Sequence, residues 1–230
     1  MTSPDAVDRP GNGRFRAVLW DFGGVILSSP FEAFRRWESE RGLPLDSIRS
    51  INATDPNRNA WARFERSEID AAEFDRAFAT EAAARGLAIR GADVLALLHG
   101  DLRPSMVRAL DLVRGAGFLV ACLTNNMTGG DGRRGRTDES DDPRRRAVEE
   151  VMGRFHAVVE SSKVGVRKPE PDFYRLACSL LSVEPSDCVF LDDLGVNLKP
   201  AAAMGMTTIK VLSAEQAIAE LESAIGVSLT

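Results

Sequence analysis

The chain has 230 residues, of which 44% are hydrophobic and 27% are charged, and its formal net charge is −5. These proportions are ordinary for a globular protein, so they exclude a fibrous or largely disordered chain. The negative charge argues against binding to nucleic acid or to an anionic membrane surface. No apolar run reaches the roughly 20 residues that a membrane helix needs, and the first residues lack the basic and apolar segments of a secretion signal. We therefore expect a cytoplasmic protein, either a monomer or a homodimer.

Cysteine and histidine are scarce in this chain. Three cysteines, Cys122, Cys178 and Cys188, occur without paired spacing, and two of them lie within apolar runs. We expect them to be buried, reduced thiols. Two histidines, His99 and His156, are too few for a zinc site built from several histidines. Catalysis is therefore expected to depend on carboxylates.

In chain order, residues 1–14 come first; they are rich in glycine, proline and aspartate and predict a disordered leader. Short apolar, partly β-branched runs then predict buried parallel strands. These strand segments are Ala17–Phe22, Phe118–Leu123, His156–Glu160, Cys188–Leu191 and Thr207–Leu212. Apolar residues at helical spacing predict helices between the later strands. The helical segments are Leu110–Gly117, Arg144–Arg154, Phe173–Leu181, Pro200–Met204 and Ala214–Ile225.

The alternation of strands and helices predicts an α/β fold with a Rossmann-like, doubly wound parallel sheet. Residues 29–102 interrupt this alternation with helical patterns alone, so we interpret them as an α-helical insert. The α/β core would then comprise residues 15–28 and 103–230. Within the core, residues 128–146 carry glycines and blocks of both charges without an apolar anchor, and they predict a mobile charged loop.

Polar side chains follow the predicted strands at the edge where open α/β sheets bind ligands. Asp21 follows the first strand, Thr124 the second, and Asp192 and Asp193 the fourth, while Lys168 precedes a Pro-Glu-Pro helix start. Clustered carboxylates repel a phosphate unless a hard cation lies between them, which points to Mg²⁺ and a phosphate-like ligand. Lys168 and the Thr124 hydroxyl would bind phosphoryl oxygens. Asp21 could then attack phosphorus and form an acyl-phosphate.

These residues resemble the four ordered motifs of the haloacid dehalogenase-like superfamily. The segments FGGVILSSPFEAF, CLTNN, KVGVRKPEPDFY and FLDDLGVNLKPAAAMGMTTIKV are further similar to the phosphatase-like amino-terminal domain of bifunctional soluble epoxide hydrolases and to stand-alone bacterial relatives. The resemblance extends from about Phe15 to the end of the chain. It implies a Mg²⁺-dependent phosphatase that hydrolyses a small phosphorylated metabolite through an aspartyl-phosphate. It also implies that the helical insert is a cap domain, which closes over the site and selects the substrate.

The resemblance implies a role for each matched residue. Asp21 would be the nucleophile and would bind Mg²⁺ together with the Gly23 carbonyl. Asp193 would be the other metal carboxylate, because its spacing to Asn197 matches a variant of the family's last motif, and Asp192 and Asn197 would support it from behind. Three residues would hold the phosphoryl group: Thr124, Asn125 and Lys168.

One position departs from the family pattern. Phosphatases of the family usually carry, two residues after the nucleophile, an aspartate that acts as general acid and base, and here this residue is Gly23. A general acid–base group contributes about 10²–10⁴-fold in rate, so we expect slower turnover unless Asp55, Glu65 or a metal-bound water substitutes for it.

Other functions therefore stay open. A catalytically weakened protein that binds a phosphorylated metabolite or a partner is the main alternative. A dehalogenase is disfavoured by Asp192 and Asp193, since members with that chemistry generally lack this acid pair. A phosphomutase is disfavoured because it needs an acid–base group where Gly23 stands.

Overall fold

The computed structural model describes residues 9–98, 100–126 and 143–230. Its centre is a five-stranded parallel sheet with the strand order β3-β2-β1-β4-β5. The strands are β1 (Ala17–Trp20), β2 (Leu119–Thr124), β3 (Ala157–Glu160), β4 (Cys188–Asp192) and β5 (Thr207–Lys210). The predicted doubly wound α/β fold is therefore confirmed. Because β1 is central, the residue that follows it, Asp21, lies in the middle of the carboxyl edge of the sheet.

The sheet is covered by helices on both faces, which explains the continuous apolar runs of its strands. Val18 and Trp20 point into one apolar cluster, and Ala17 and Leu19 point into the other. Helices α6 (Pro104–Gly115), α7 (Pro143–Met152) and α11 (Ala214–Ile225) contribute to the first cluster. Helices α9 (Pro171–Leu181) and α10 (Gly195–Ala203) contribute to the second. A single turn, α8 (Ser161–Val164), follows β3.

The predicted helical insert is present between β1 and β2. Its helices are α1 (Pro30–Glu40), α2 (Ser47–Asn52), α3 (Ala60–Glu65), α4 (Ala71–Ala83) and α5 (Gly91–Leu95). They enclose a third apolar cluster of their own, in which Phe74 is fully buried and stacks on Phe64 with ring centroids 4.9 Å apart. We use the word cap below only as a label for this helical insert, residues 29–102.

The two ends of the cap meet where it leaves the core. Leu27 and Leu102 form an antiparallel bridge, and the Ser28 amide donates to the Asp101 carbonyl at 2.8 Å. The Arg103 amide donates to the Ile26 carbonyl at 2.9 Å. The chain therefore enters and leaves the cap through one short, hydrogen-bonded ribbon.

Several sequence expectations need correction or fall outside the described residues. The leader was expected to be disordered through residue 14, but the Asn12 amide donates to the Ile225 carbonyl at 2.9 Å and Arg9 pairs with Asp187 at 2.9 Å. Residues 9–14 are thus packed on the core, and residues 1–8 are not described. Of the expected mobile loop 128–146, the part up to residue 142 lies outside the described residues, whereas 143–146 begin α7.

The predicted Pro200–Met204 helix was too short, because Pro200 lies inside α10 and does not begin it. The three cysteines are buried, free thiols as expected. Across the described residues, no helix combines the length and the apolar character needed to cross a membrane.

Candidate active site

Asp21 is held at the end of β1 by the neighbouring strand and by its own turn. Its amide donates to the Leu191 carbonyl at 2.9 Å, and its Oδ1 accepts from the Phe22 amide at 2.7 Å. The irregular turn Phe22–Ile26 follows, with Gly23 in an extended conformation (φ −72°, ψ 128°) and Gly24 at φ +80°. The second glycine therefore satisfies a left-handed backbone position, which strongly favours glycine.

Lys168 forms ion pairs with the carboxylates of Asp21 and Asp192. Its Nζ lies 2.7 Å from Asp21 Oδ1 and 2.8 Å from Asp192 Oδ2, and its side chain is 1% exposed. Burial disfavours the charged amine, but Asp192 and Asp21 outweigh that effect and raise the pKa of Lys168 above its ordinary value. Lys168 therefore stays protonated at the edge of the sheet, as phosphoryl binding requires.

The adjacent acids of the fourth motif occupy different places. Asp192 is fully buried, and its carboxylate accepts from Asn197 Nδ2 at 3.0 Å on each oxygen and from the Leu194 amide at 2.8 Å. Asp193 faces the cavity described below, with Oδ2 3.5 Å from Ser29 Oγ. Asp193 therefore lies on the cavity side and Asp192 behind it, whereas Asn197, which was expected behind Asp193, also lines the cavity.

The three acids form a cluster suited to a hard cation. Carboxylate oxygens of Asp21, Asp192 and Asp193 all lie within 4.8 Å of one another. Burial, and to a smaller extent the nearby Asp192, raise the pKa of Asp193 to about 6, while Lys168 opposes that shift. Oxygen ligands and excess negative charge are what Mg²⁺ prefers, so these residues fit the expected metal.

Thr124 and Asn125 lie at the end of β2, beside the acids. Thr124 is the last residue of the strand and lines the cavity. The Asn125 amide also lines the cavity, and the backbone of Lys168 engages both of its ends: Nδ2 donates to the Lys168 carbonyl and Oδ1 accepts from the Lys168 amide, each at 2.9 Å. The structure therefore brings the three predicted phosphoryl-binding residues together.

A cavity of about 850 Å³ lies between this edge of the sheet and the cap, within the size range of small-molecule sites. The aromatic side chains of Phe31, Phe34 and Trp61 line its cap wall, and Arg49 and Asn52 add polar groups there. The cap wall is thus apolar at its aromatic side chains, and it also carries the polar side chains of Asn57, Asn59 and Glu65.

Sequence reasoning did not find the contacts between cap and core. Glu65 of the cap lines the cavity and pairs with Arg167 at 2.5 Å, a contact that no local pattern indicates because 102 residues separate the two along the chain. Burial raises the pKa of Glu65, and Arg167 opposes that shift. Asp55, the other acid considered as a replacement for the missing acid–base group, is exposed in the loop before α3 and is not among the cavity-lining residues that the structure describes.

The chain belongs to the haloacid dehalogenase-like hydrolase family, whose model matches residues 15–205. It is 34% identical over 226 residues to acyl-CoA dehydrogenase family member 10 of Mus musculus, covering 95% of this chain and 20% of that protein. It is 30% identical over 223 residues to bifunctional epoxide hydrolase 2 of Mus musculus, covering 92% of this chain and 39% of that protein. The chain therefore spans well under half the length of these relatives, and the predicted resemblance to the amino-terminal domain of the epoxide hydrolases is confirmed.

One relative of similar length is sesquiterpene phosphatase AstK of Aspergillus oryzae, 23% identical over 219 residues, with 92% of this chain and 97% of that protein covered. Solved structures show the same fold. A haloacid dehalogenase family enzyme of Bacteroides thetaiotaomicron, in complex with magnesium and inorganic phosphate, superposes with a TM-score of 0.55 at 18% identity, covering 85% of this chain and 93% of that one. L-2-haloacid dehalogenase of Xanthobacter autotrophicus, with chloropropionic acid covalently bound, superposes with a TM-score of 0.57 at 19% identity, covering 93% and 84%.

Proposed function

We propose that this hydrolase is a Mg²⁺-dependent phosphatase, which hydrolyses a small phosphorylated metabolite through an aspartyl-phosphate on Asp21. The observation that carries the proposal is the contact of Lys168 Nζ with both Asp21 and Asp192, beside the cavity-facing carboxylate of Asp193. This set provides a nucleophile, a fixed cation for phosphoryl oxygens and ligands for a hard metal. Two similar proteins support the same chemistry: one is a sesquiterpene phosphatase, and the Bacteroides structure contains magnesium and inorganic phosphate.

Each residue then has a defined part. Asp21 Oδ1 is engaged by Lys168 and the Phe22 amide, so Oδ2 is the oxygen that would attack phosphorus. Asp21, the Gly23 carbonyl and Asp193 would hold Mg²⁺, which when bound supplies positive charge against the phosphoryl oxygens. Lys168 and the Thr124 hydroxyl would bind the remaining phosphoryl oxygens, with Asn125 holding the Lys168 backbone.

The proposed reaction has two steps. A bond forms between Asp21 Oδ2 and phosphorus while the ester bond from phosphorus to the leaving oxygen breaks, and that oxygen takes up a proton from solvent water. Water then hydrolyses the aspartyl-phosphate, which releases inorganic phosphate and restores Asp21. The aromatic cap wall favours substrates whose organic part is apolar. We further expect the protein to act in the cytoplasm, as a monomer or a homodimer.

A second candidate function is binding of a phosphorylated metabolite or a partner with little turnover. Gly23 favours it, because the residue two positions after the nucleophile carries no side chain to protonate a leaving group. A dehalogenase is less well supported, since the cluster of three carboxylates is suited to a metal that dehalogenation does not need.

Release of p-nitrophenol from p-nitrophenyl phosphate, with and without Mg²⁺, tests the proposal, because this leaving group hardly needs protonation. We expect Mg²⁺-dependent release by the wild type and none by Asp21→Asn. Asp111→Asn, which changes a partly exposed acid on α6, serves as the control and should keep full activity. Mg²⁺ binding without any release by the wild type would instead favour the binding function, and activity that survives Asp21→Asn would refute the assigned nucleophile.

A further inference from the structure

Two cap residues at the end of α3 contact the core on either side of Lys168. Glu65 Oε2 lies 2.5 Å from Arg167 Nε, just before Lys168 in the chain. Arg66 donates to Glu170 Oε1 from Nη2 at 2.7 Å and from Nε at 3.0 Å, just after Lys168. An acid and a base on the cap thus face a base and an acid on the core, with the proposed phosphoryl-binding lysine between them.

These contacts are shielded from water. The side chains of Glu65 and Arg167 are 6% and 12% exposed, and those of Arg66 and Glu170 are 13% and 31% exposed. Ion pairs with so little exposure are weakly screened, and removing one partner leaves the other charge buried without compensation. The pairs therefore fix where the cap meets this part of the core.

The contact extends from the cap to the Lys168 backbone. Asn125 Nδ2 lies 3.4 Å from Glu65 Oε2 and also donates to the Lys168 carbonyl at 2.9 Å. Asn125 Oδ1 accepts from the Lys168 amide at 2.9 Å. Glu65 is therefore linked to Lys168 in two ways: through the side chain of Asn125, and through Arg167, which precedes Lys168 in the chain.

We propose that Glu65 and Arg66 are positioning residues, which dock the cap on the segment that carries Lys168 and so set the position of the Lys168 ammonium for binding a phosphoryl group. Oε1 of Glu65 accepts from Trp61 Nε1 at 2.9 Å, and Oε2 lies against Arg167 and Asn125. Because both oxygens are engaged by donors, we assign Glu65 this role and not that of a proton donor to the substrate. The inference rests on the proposed function of Lys168 in phosphoryl binding.

A charge exchange at the less buried pair tests the inference. The affinity for inorganic phosphate in the presence of Mg²⁺ is measured by calorimetry, so the result does not depend on turnover. We expect Arg66→Glu and Glu170→Arg each to weaken phosphate binding about tenfold, equivalent to roughly 1.4 kcal/mol, and the double variant to restore it. Unchanged phosphate affinity in the single variants, or no recovery in a double variant that is folded by circular dichroism, would overturn it.

A second comparison separates positioning from cap stability. Glu38 is another buried cap carboxylate, but it accepts from the Asp46 and Ile48 amides, which belong to the cap. We expect Glu65→Gln to weaken phosphate binding and Glu38→Gln to leave it unchanged, even if both lower the melting temperature. Equal loss of phosphate affinity in the two variants would show that cap stability alone is responsible. If the wild type binds Mg²⁺ and phosphate but hydrolyses nothing, the proposed function is wrong. The calorimetric phosphate affinities of the variants would still test this inference.

Discussion

The carboxylate of Asp193 lies directly against the α-carbon of Gly24. A β-carbon at residue 24 would be 2.3 Å from Asp193 Oδ2 and 2.5 Å from its Cγ, far inside van der Waals contact. Gly24 also has φ +80°, which a residue with a side chain adopts only at a cost. The turn after Asp21 and the carboxylate of Asp193 are therefore packed closely against each other at this point.

Gly24→Ala should displace Asp193 and lower the affinity for Mg²⁺ at least tenfold, as measured by isothermal calorimetry. The matched control is Gly165→Ala, at φ +73° with nothing within 4 Å of its would-be β-carbon. This control should lose only about 1 kcal/mol of folding free energy to backbone strain and keep its Mg²⁺ affinity. Equal metal binding by both variants would contradict the proposed role of Asp193 as a metal ligand.

Gly23→Asp should raise the rate on alkyl phosphates. Gly23 has an extended backbone, and beyond its chain neighbours a β-carbon there would meet no atom of the described residues within 4 Å, so an aspartate can be accommodated. A positioned acid adds about 10²–10⁴-fold where the leaving group needs a proton. Steady-state rates on ethyl phosphate and on p-nitrophenyl phosphate should show a large gain for the first and a small one for the second.

Gly23→Asn has nearly the same shape as the aspartate variant but cannot donate a carboxylic proton, and it should show no gain on either substrate. If Gly23→Asp also brings no gain on ethyl phosphate while p-nitrophenyl phosphate is still hydrolysed, another group already supplies the proton.

Asn197→Leu should destabilise the fold through Asp192. The leucine keeps the branched shape of asparagine, although it is larger, and it leaves both oxygens of a fully buried carboxylate without the Asn197 donor. A hydrogen bond to a charged group contributes about 1.5–3 kcal/mol, and we expect a loss of that size in urea denaturation. Asn197→Ser, which is smaller but keeps a donor, should lose less; a larger loss for serine would mean that packing and not the hydrogen bond dominates.

Phe74→Ala should loosen the cap and leave the sheet intact. Phe74 is fully buried in the cap cluster, with ring centroids 4.9 Å from Phe64 and 5.4 Å from Phe78. Truncating a buried phenylalanine costs about 3–5 kcal/mol. We expect this loss to exceed the free energy that keeps a small subdomain such as the cap from unfolding locally. Hydrogen exchange should become faster at cap amides and stay slow in β1 and β4. Equal acceleration in both would show that the predicted cap boundaries do not delimit a separately unfolding unit.

The sequence predicted secondary structure best where every residue of an element is buried. The strand ends were predicted to within two residues, because segments such as β4 are buried at every position and so appear as unbroken apolar runs. The start of α10 was missed because Pro200 resembles a first-turn proline, and the residues before it carry too few apolar side chains to show a helical period.

The site was predictable to the extent that it depends on strand ends. Parallel strands bring Asp21, Thr124 and Asp193 to one edge whatever the rest of the chain does, so spacing and topology suffice. Contacts between cap and core, such as Glu65 with Arg167, depend on how two separately packed clusters sit against each other, and no periodicity within either segment carries that information. The contact of Gly24 with Asp193 is similar, because it joins the turn after β1 to the residue after β4 and no local pattern indicates it.

The ribbon formed at Leu27 and Leu102 places the segment that enters the cap beside the segment that leaves it. Because these two segments are adjacent, a short turn could join them directly without moving β1. The cap is therefore an insertion that the core can carry in the way that a rigid scaffold carries a loop. Changes in the length or lining of the cap therefore need not alter the turn that holds Asp21. A cap taken from a relative and joined at these two positions would leave the turn at Asp21 in place, but it would need its own partners for Arg167 and Glu170 to hold the segment that carries Lys168.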